Sequence, residues 1–289
     1  MRMSSRSTPG TAPDNHHTRV PMRRAASAVA GLTGLAVVLS ACTTGSVSGS
    51  DSGGTTTDTI RSTMIANPSS FNPIASSGVP ATMANSLLYG TLLVQDDNYT
   101  FAGDLASDWE VSPEKGVFTL REGATCADGT AITPAVVKNS LDAFSAKSPN
   151  KELVFGPAAP RITADNDAGT VTIELETPWT DMAQGLTMPE TGIICPAGLK
   201  DPEATAAGKV EGAFSGAYTL ANYQPGVSVE FTLRENGYTW PEYADPLEGE
   251  PARKIQYAIN SDYNSIANGL ITDQIDNHPW RAHAAVHRQ

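Results

Sequence analysis

The chain has 289 residues, with 31 acidic side chains against 19 basic ones and a formal charge of −12. Setting aside the 5 arginines and 1 aspartate of residues 1–41 leaves 14 basic and 30 acidic residues, near −16. Such a field disfavours nucleic acid and anionic membrane surfaces as partners, keeps the protein soluble and suits cationic or zwitterionic ligands.

The N-terminus has the three parts of a secretion signal in order. Arg23 and Arg24 supply the positive segment, Ala25 to Leu39 the apolar one, and Leu39-Ser40-Ala41-Cys42 a small-residue cleavage site ending in cysteine. The apolar run is too short for a membrane span, which takes about 20 residues. Residues 1–41 are therefore expected to be removed, with Cys42 becoming the lipid-bearing first residue of the mature protein. Arg23-Arg24 also raises twin-arginine export, but Ala25 to Ser27 lack the bulky residues that usually follow, which favours the general route. Residues 1–21 are polar and without apolar periodicity, and Met22 opens a compact signal by itself, so translation is expected to start there. Localisation follows: the cell membrane, lipid-anchored on the extracytoplasmic face.

Residues 42–57 are almost only Thr, Ser and Gly, with Val47 the single aliphatic side chain, and read as a flexible tether. The three cysteines are Cys42, Cys126 and Cys195. With Cys42 acylated, the other two are either a bridge in an oxidising compartment or two buried thiols.

Thr59 to Ala66 reads as a strand, Asn67 to Gly78 as a loop, and Ala81 to Leu93 as a helix with Met83, Leu87 and Leu88 on one face. Asp108 to Val111 and Val117 to Leu120 are predicted to pair around a turn at Pro113 to Gly116. Thr133 caps a helix with Pro134 at its first position and Val137, Leu141 and Phe144 as its apolar stripe. Ile162 to Ala164 and Thr170 to Leu175 form a hairpin around Asp165 to Gly169, and Ala217 to Gln224 and Val227 to Arg234 another around Pro225-Gly226. Ile255 to Ile259 is a strand, and Ser261 to Leu270 a capped helix carrying Ile266 and Leu270. Strands and helices mixed in this way predict α+β or mixed α/β architecture, not a repeat or an all-β sandwich.

Histidine occurs at His16, His17, His278, His283 and His287 and nowhere between 18 and 277. Ser-His-Asp and Cys-His nucleophile pairs therefore cannot be assembled in the body of the chain. Gly212-Ala213-Phe214-Ser215-Gly216 has the wrong spacing for a nucleophile elbow, and its glycines read as backbone turns beside a strand. No phosphate loop, HExxH or CxxC occurs, so no metal site or cofactor is expected. Carboxylates abound, which leaves paired-acid hydrolysis as a rival, but nothing singles out a pair.

Taken in order, certain segments carry a resemblance. Asp104-Leu105-Ala106-Ser107-Asp108-Trp109-Glu110-Val111 leads into Phe118-Thr119-Leu120-Arg121-Glu122-Gly123 and Asp128-Gly129-Thr130. The Pro134 to Phe144 helix follows, then Phe214-Ser215-Gly216-Ala217-Tyr218 and Leu233-Arg234-Glu235-Asn236 with Tyr238 and Trp240. This succession resembles the N-terminal half of the family 5 extracellular solute-binding proteins, the peptide and nickel receptors of ABC importers, from about Asp58 to Asp276. Ala217 stands where that family usually has proline. Cys126 and Cys195 look like the paired cysteines of its actinobacterial members.

The resemblance implies a type II (cluster C) periplasmic-binding-protein-like lobe over residues 58–277. That lobe would be incomplete and without the second lobe of a family about twice as long, ending in an aberrant tail at 278–289. It implies a monomeric, non-enzymatic receptor, here a truncated or frameshifted copy, that captures oligopeptides or dipeptides and passes them to ABC permease subunits. It also implies that Ser69 to Ser77 and the next helix line the cleft, with Asn72, Ser76 and Tyr89 as ligand contacts. From the residues alone, Asn72 is equally a turn former before Pro73, and Trp109, Phe118 and Tyr218 read as core aromatics. The remaining rivals are an exported carboxylate-based hydrolase and a surface interaction protein without a transport role.

Overall fold

A computed structural model describes residues 58–96, 98–235, 237–241 and 251–276. The secretion signal, Cys42, the tether and the tail at 278–289 lie outside the described residues.

Two four-stranded sheets and one two-stranded ribbon carry the described fold. The first sheet has the order β1 (Thr59–Met64), β10 (Lys254–Ile259), β9 (Ser228–Leu233), β8 (Tyr218–Gln224). Its β1 and β10 run parallel, Thr59 opposite Lys254 and Met64 opposite Ile259, while the other pairs are antiparallel. In β9 and β10 the alternate residues Val229, Phe231, Ile255 and Tyr257 are buried, and the Phe231 and Tyr257 rings meet edge to face at 6.0 Å. The second sheet is antiparallel throughout, in the order β4 (Ala106–Val111), β5 (Lys115–Leu120), β7 (Thr170–Glu174), β6 (Arg161–Asp165).

Helix α2 (Pro134–Lys147) packs on β6 and β7. It starts where expected, because the Thr133 hydroxyl accepts the Val136 N–H and Pro134 has no N–H to leave unpaired. Its stripe Val137, Leu141 and Phe144 is buried in one cluster with Phe118, Val171 and Ile173. Burying each such side chain stabilises the fold by about 1.5–3 kcal/mol before entropy is counted. Phe118 and Tyr218 are core residues as expected, whereas Trp109 is half-buried.

Several expected boundaries move, and one helix is shorter than its apolar pattern. The expected helix 81–93 is α1, Val79–Leu88, and Leu93 instead opens β2 (Leu93–Gln95), which pairs with β3 (Phe101–Gly103). The helix stops because its last backbone groups are claimed from outside. Leu88 O accepts Gly216 N at 2.8 Å, and Thr91 N donates to the Asp104 carboxylate at 2.8 Å. The strand expected to reach Ala66 ends at Met64, and the loop after it contains a 3-10 turn at Pro73–Ala75. The short helices α3 (Lys151–Phe155), α4 (Met182–Gly185), α5 (Pro196–Lys200) and α6 (Pro202–Ala206) were not anticipated, being too short to show a period.

The last described helix, α7 (Tyr263–Ile271), is capped by Asp262 and not by Ser261, since the Asp262 carboxylate accepts the N–H groups of Asn264 and Ser265. It buries Ile266 and Gly269, while Leu270 is only half-buried. The chain leaving it is pinned to the outer side of β1. Asp276 N donates to Arg61 O, Arg61 N donates back to the Asp276 carboxylate, and the two side chains form a 2.7 Å ion pair.

Candidate functional site

The three candidate contacts sit close together and are folded into the scaffold. The Asn72 side chain caps the 3-10 turn, its Oδ1 accepting Ile74 N at 3.1 Å. The Ser76 hydroxyl donates to Pro73 O at 2.9 Å, closing the same turn. Nearby, Ser69 Oγ accepts Ser77 N and donates to Ser77 O, so the loop is cross-braced by its own side chains. Tyr89 ends α1, and its hydroxyl donates to Phe71 O at 2.8 Å while its ring meets Phe214 edge to face. All three residues are buried, and burial pushes the Tyr89 phenol well above its ordinary range.

A different set of side chains stays open at the carboxyl ends of β1 and β10, where ligands of α/β sheets commonly bind. Ile65 follows β1 and is 43% exposed, Val227 at the β8–β9 turn is 59% exposed, and Tyr263 at the start of α7 is 68% exposed. Backbone bonds bring their carriers together: Asn260 N donates to Met64 O at 2.8 Å and Ile259 N to Val227 O at 2.9 Å. Asn67 Oδ1 accepts Gly226 N at 2.7 Å, tying the loop after β1 to the same turn. Sequence reasoning missed this group. Its only signal would have been the β1–β10 pairing, which joins residues 195 apart in the chain, Thr59 to Lys254.

Ser215 has a structural task. Its hydroxyl donates to Ile193 O at 2.5 Å and accepts Gly90 N at 3.0 Å, in a fully buried setting. The neighbouring Gly216 lies flush on the end of α1, where a Cβ would come within 2.5 Å of Leu87 O and 2.8 Å of Tyr89 N. Close backbone approach, and not the backbone turn read from the sequence, explains the glycine here. Asp128-Gly129-Thr130 is likewise a turn: Thr130 N donates to Asp128 Oδ1, and Gly129 has a φ of +84°. Next to it the structure joins Cys126 to Cys195, Cα atoms 6.1 Å apart and both side chains fully buried.

Two arginines lock the sheets together. Arg234, just past β9, donates to Thr125 O, Thr125 Oγ1, Cys126 O and Gly216 O. Arg121 donates to Asp104 O and Thr239 O, and both guanidinium groups lie within 6 Å of the Tyr238 ring centroid. Beside them Asp104 is buried, and desolvation pushes its carboxyl up to about 6, against the opposing pull of the Thr91 N–H and of Arg121. The raised value means that the protonated form stabilises the fold. That contribution is full below pH 4 and is lost as pH rises through 6. Asp104→Asn, which keeps an acceptor for Thr91 N, is expected to be more stable than the parent at pH 7.5 by up to about 3 kcal/mol. The two proteins should converge near pH 4. Urea melts at both pH values check this; an equal difference at both would refute the assignment.

Among the described residues no group of three or more His, Cys, Asp or Glu side chains is placed to hold a metal ion. No described helix is long and apolar enough to cross a membrane.

Comparison with known proteins adds a family pattern. That of the bacterial extracellular solute-binding proteins, family 5 (middle region), matches residues 100–285. A solved substrate-binding protein from Microbacterium hydrocarbonoxydans, complexed with 4-hydroxybenzoate hydrazide, shares 39% identity with a TM-score of 0.72. The alignment covers 76% of this chain and 46% of that one. OppA of Burkholderia pseudomallei is 18% identical with a TM-score of 0.63, over 77% of this chain and 46% of its own. NikA of Brucella suis, in complex with Fe(III)-EDTA, is 22% identical with a TM-score of 0.62, over 75% of this chain and 42% of its own. The last two likenesses speak for the fold alone, the periplasmic-binding-protein type II arrangement of mixed α/β structure. This chain spans less than half the length of each of these relatives. No functionally curated protein matches the sequence significantly.

Proposed function

The chain belongs to the bacterial extracellular solute-binding proteins of family 5, and from that premise we propose that it is the lipid-anchored capture component of an ABC importer, taking up oligopeptides or dipeptides. In this reading residues 1–41 direct export, Cys42 carries the lipid, residues 42–57 hold the domain off the membrane, and the Cys126–Cys195 bridge forms outside the cytoplasm. The receptor acts as a monomer and performs no catalysis. It binds solute in a cleft and delivers it to permease subunits.

The observation that carries this reading is the contrast at the candidate site. The polar side chains of the Ser69–Ser77 loop are spent on the loop itself, while Ile65, Val227 and Tyr263 remain open at the carboxyl ends of parallel strands. A rigid wall with an apolar lip suits capture by surface burial, with orientation set by a few polar groups. The hydrolase rival finds less support, because the buried carboxylate Asp104 is engaged by Thr91 N and Ser215 by Ile193 O. A second ligand class is favoured by the same lip and by the aromatic hydrazide bound to the 39%-identical relative: a small aromatic solute.

The test is uptake of labelled di- to pentapeptides, and of labelled 4-hydroxybenzoate hydrazide, by cells with and without the gene. Mass analysis of the membrane-extracted protein accompanies it. Deletion is expected to reduce uptake of one of the two classes, and the mature chain is expected to begin at an acylated Cys42. Unchanged uptake of both would sink the transport reading, and an unmodified Cys42 the anchor.

A further inference from the structure

The chain has 14 asparagines, two of them with a Ser or Thr two residues on, and of these Asn67-Pro68-Ser69 is barred by its proline, which leaves Asn98-Tyr99-Thr100 as the one sequence suited to N-linked glycosylation. That asparagine lies at the tip of the β2–β3 ribbon, which belongs to neither four-stranded sheet and pairs over three residues, its tip closed by Tyr99 N to Asp96 O and Asp96 N to Thr100 O. Asn98 and Thr100 are exposed, and neither side chain has a hydrogen-bond partner among the described residues. Between them Tyr99 is 81% exposed and adopts a φ of +62°, a left-handed conformation that costs a non-glycine residue about 1 kcal/mol or more.

The turn is organised from one side. Asp96 Oδ1 accepts both Asn98 N at 2.9 Å and Thr100 N at 2.7 Å, gathering the acceptor residue and its partner hydroxyl residue around a single oxygen. A short ribbon under backbone strain gives up its local geometry at little cost, so an enzyme can draw the tip into an extended pose. The Asp96 carboxylate, two residues before Asn98, offers a cationic enzyme surface a second handle. By contrast, Asn72 and Asn85 are buried in the scaffold.

We propose that Asn98 is an acceptor for N-linked glycosylation. The inference rests on export of the chain, as put forward above. The co-substrate class is a lipid-pyrophosphate-linked oligosaccharide, used by a membrane oligosaccharyltransferase. Asn98 Nδ2 attacks the anomeric carbon and a C–N bond forms. The C–O bond to the pyrophosphate breaks, the lipid pyrophosphate leaves with the electron pair, and the amide proton passes to a carboxylate of the transferase. Thr100 Oγ1 is the group by which the transferase reads the site, so serine should replace it and alanine should not.

The experiment is peptide mass analysis of the full chain recovered from its own cells, with free thiols alkylated before digestion. The peptide containing Asn98 is expected to gain the mass of an oligosaccharide. The gain should vanish in Thr100→Ala and persist in Thr100→Ser. Thr100 Oγ1 makes no bond in the described structure, so both variants keep the fold. Cys126 joined to Cys195 with Asn98 bare would overturn the glycosylation site and leave export standing. Alkylated, unbridged cysteines with Asn98 bare would overturn both.

Discussion

Cys126→Ser, Cys195→Ser and the double variant are each expected to lower the unfolding free energy by roughly 4 kcal/mol, the chain-entropy value for a loop of this length. The two cysteines are 69 residues apart, and the loop they close contains α2, the β6–β7 hairpin and the short helices before Cys195. Opening it releases that whole span into a larger unfolded ensemble. The native side adds to the loss, because Ala127 N and Cys195 N donate to the Phe214 and Ala213 carbonyls, so the bridge sits where the two sheets are stitched together. Urea titration of parent and variants, with non-reducing peptide mapping of the parent, is the measurement. A parent whose midpoint is unmoved by reductant would show that the bridge does not hold the fold.

Arg234→Met is expected to cost about 4 kcal/mol, more than a typical point substitution. Methionine fills a similar volume but removes the guanidinium donor from the Thr125 and Gly216 carbonyls and from Cys126 O, which keeps only the Gly129 N–H, in a place that water reaches poorly. Each buried acceptor stripped of its partner costs about 1–3 kcal/mol, partly recovered by relaxation. Desolvation lowers the Arg234 pKa, yet the guanidinium keeps its charge, as arginine does in proteins. Arg234→Lys should fall between parent and Met variant, since a point ammonium cannot reproduce the planar fork that reaches Thr125 and Cys126 together. Calorimetric melting or urea titration would reveal the order. A Met variant within 1 kcal/mol of the parent would show that the sheets are held by packing alone.

The pairing of Cys126 with Cys195 was implied by the resemblance, whereas Arg234 had a legible type and illegible partners. Arg234 stood out in a Leu-Arg-Glu-Asn segment, yet its acceptors on Thr125 and Cys126 lie about 110 residues earlier, where no local pattern points to them. Asn72 and Tyr89 were placed near the cleft by resemblance, and the structure shows their polar atoms turned inward to Ile74 N and Phe71 O. A one-dimensional pattern marks where a loop lies; which way a side chain faces in it depends on what packs behind.

The sequence by itself determined whatever rests on neighbours a few residues apart. Thr133-Pro134 starts α2 because cap and ring act within one turn, and Val137, Leu141 and Phe144 share a face because of the helical period. Val171 and Ile173 alternate inward because of the strand period, and Pro225-Gly226 closes its hairpin through Val227 N to Gln224 O. Family membership was legible for the same reason, as a succession of such local motifs in fixed order. Tertiary structure alone decided that β1 pairs in parallel with β10, that α1 stops at Leu88 under Gly216, and that Ile65, Val227 and Tyr263 share one open edge. Those outcomes arise from contacts between segments far apart in the chain. Their energy appears only when two surfaces meet, so neither segment carries a local signature of the other.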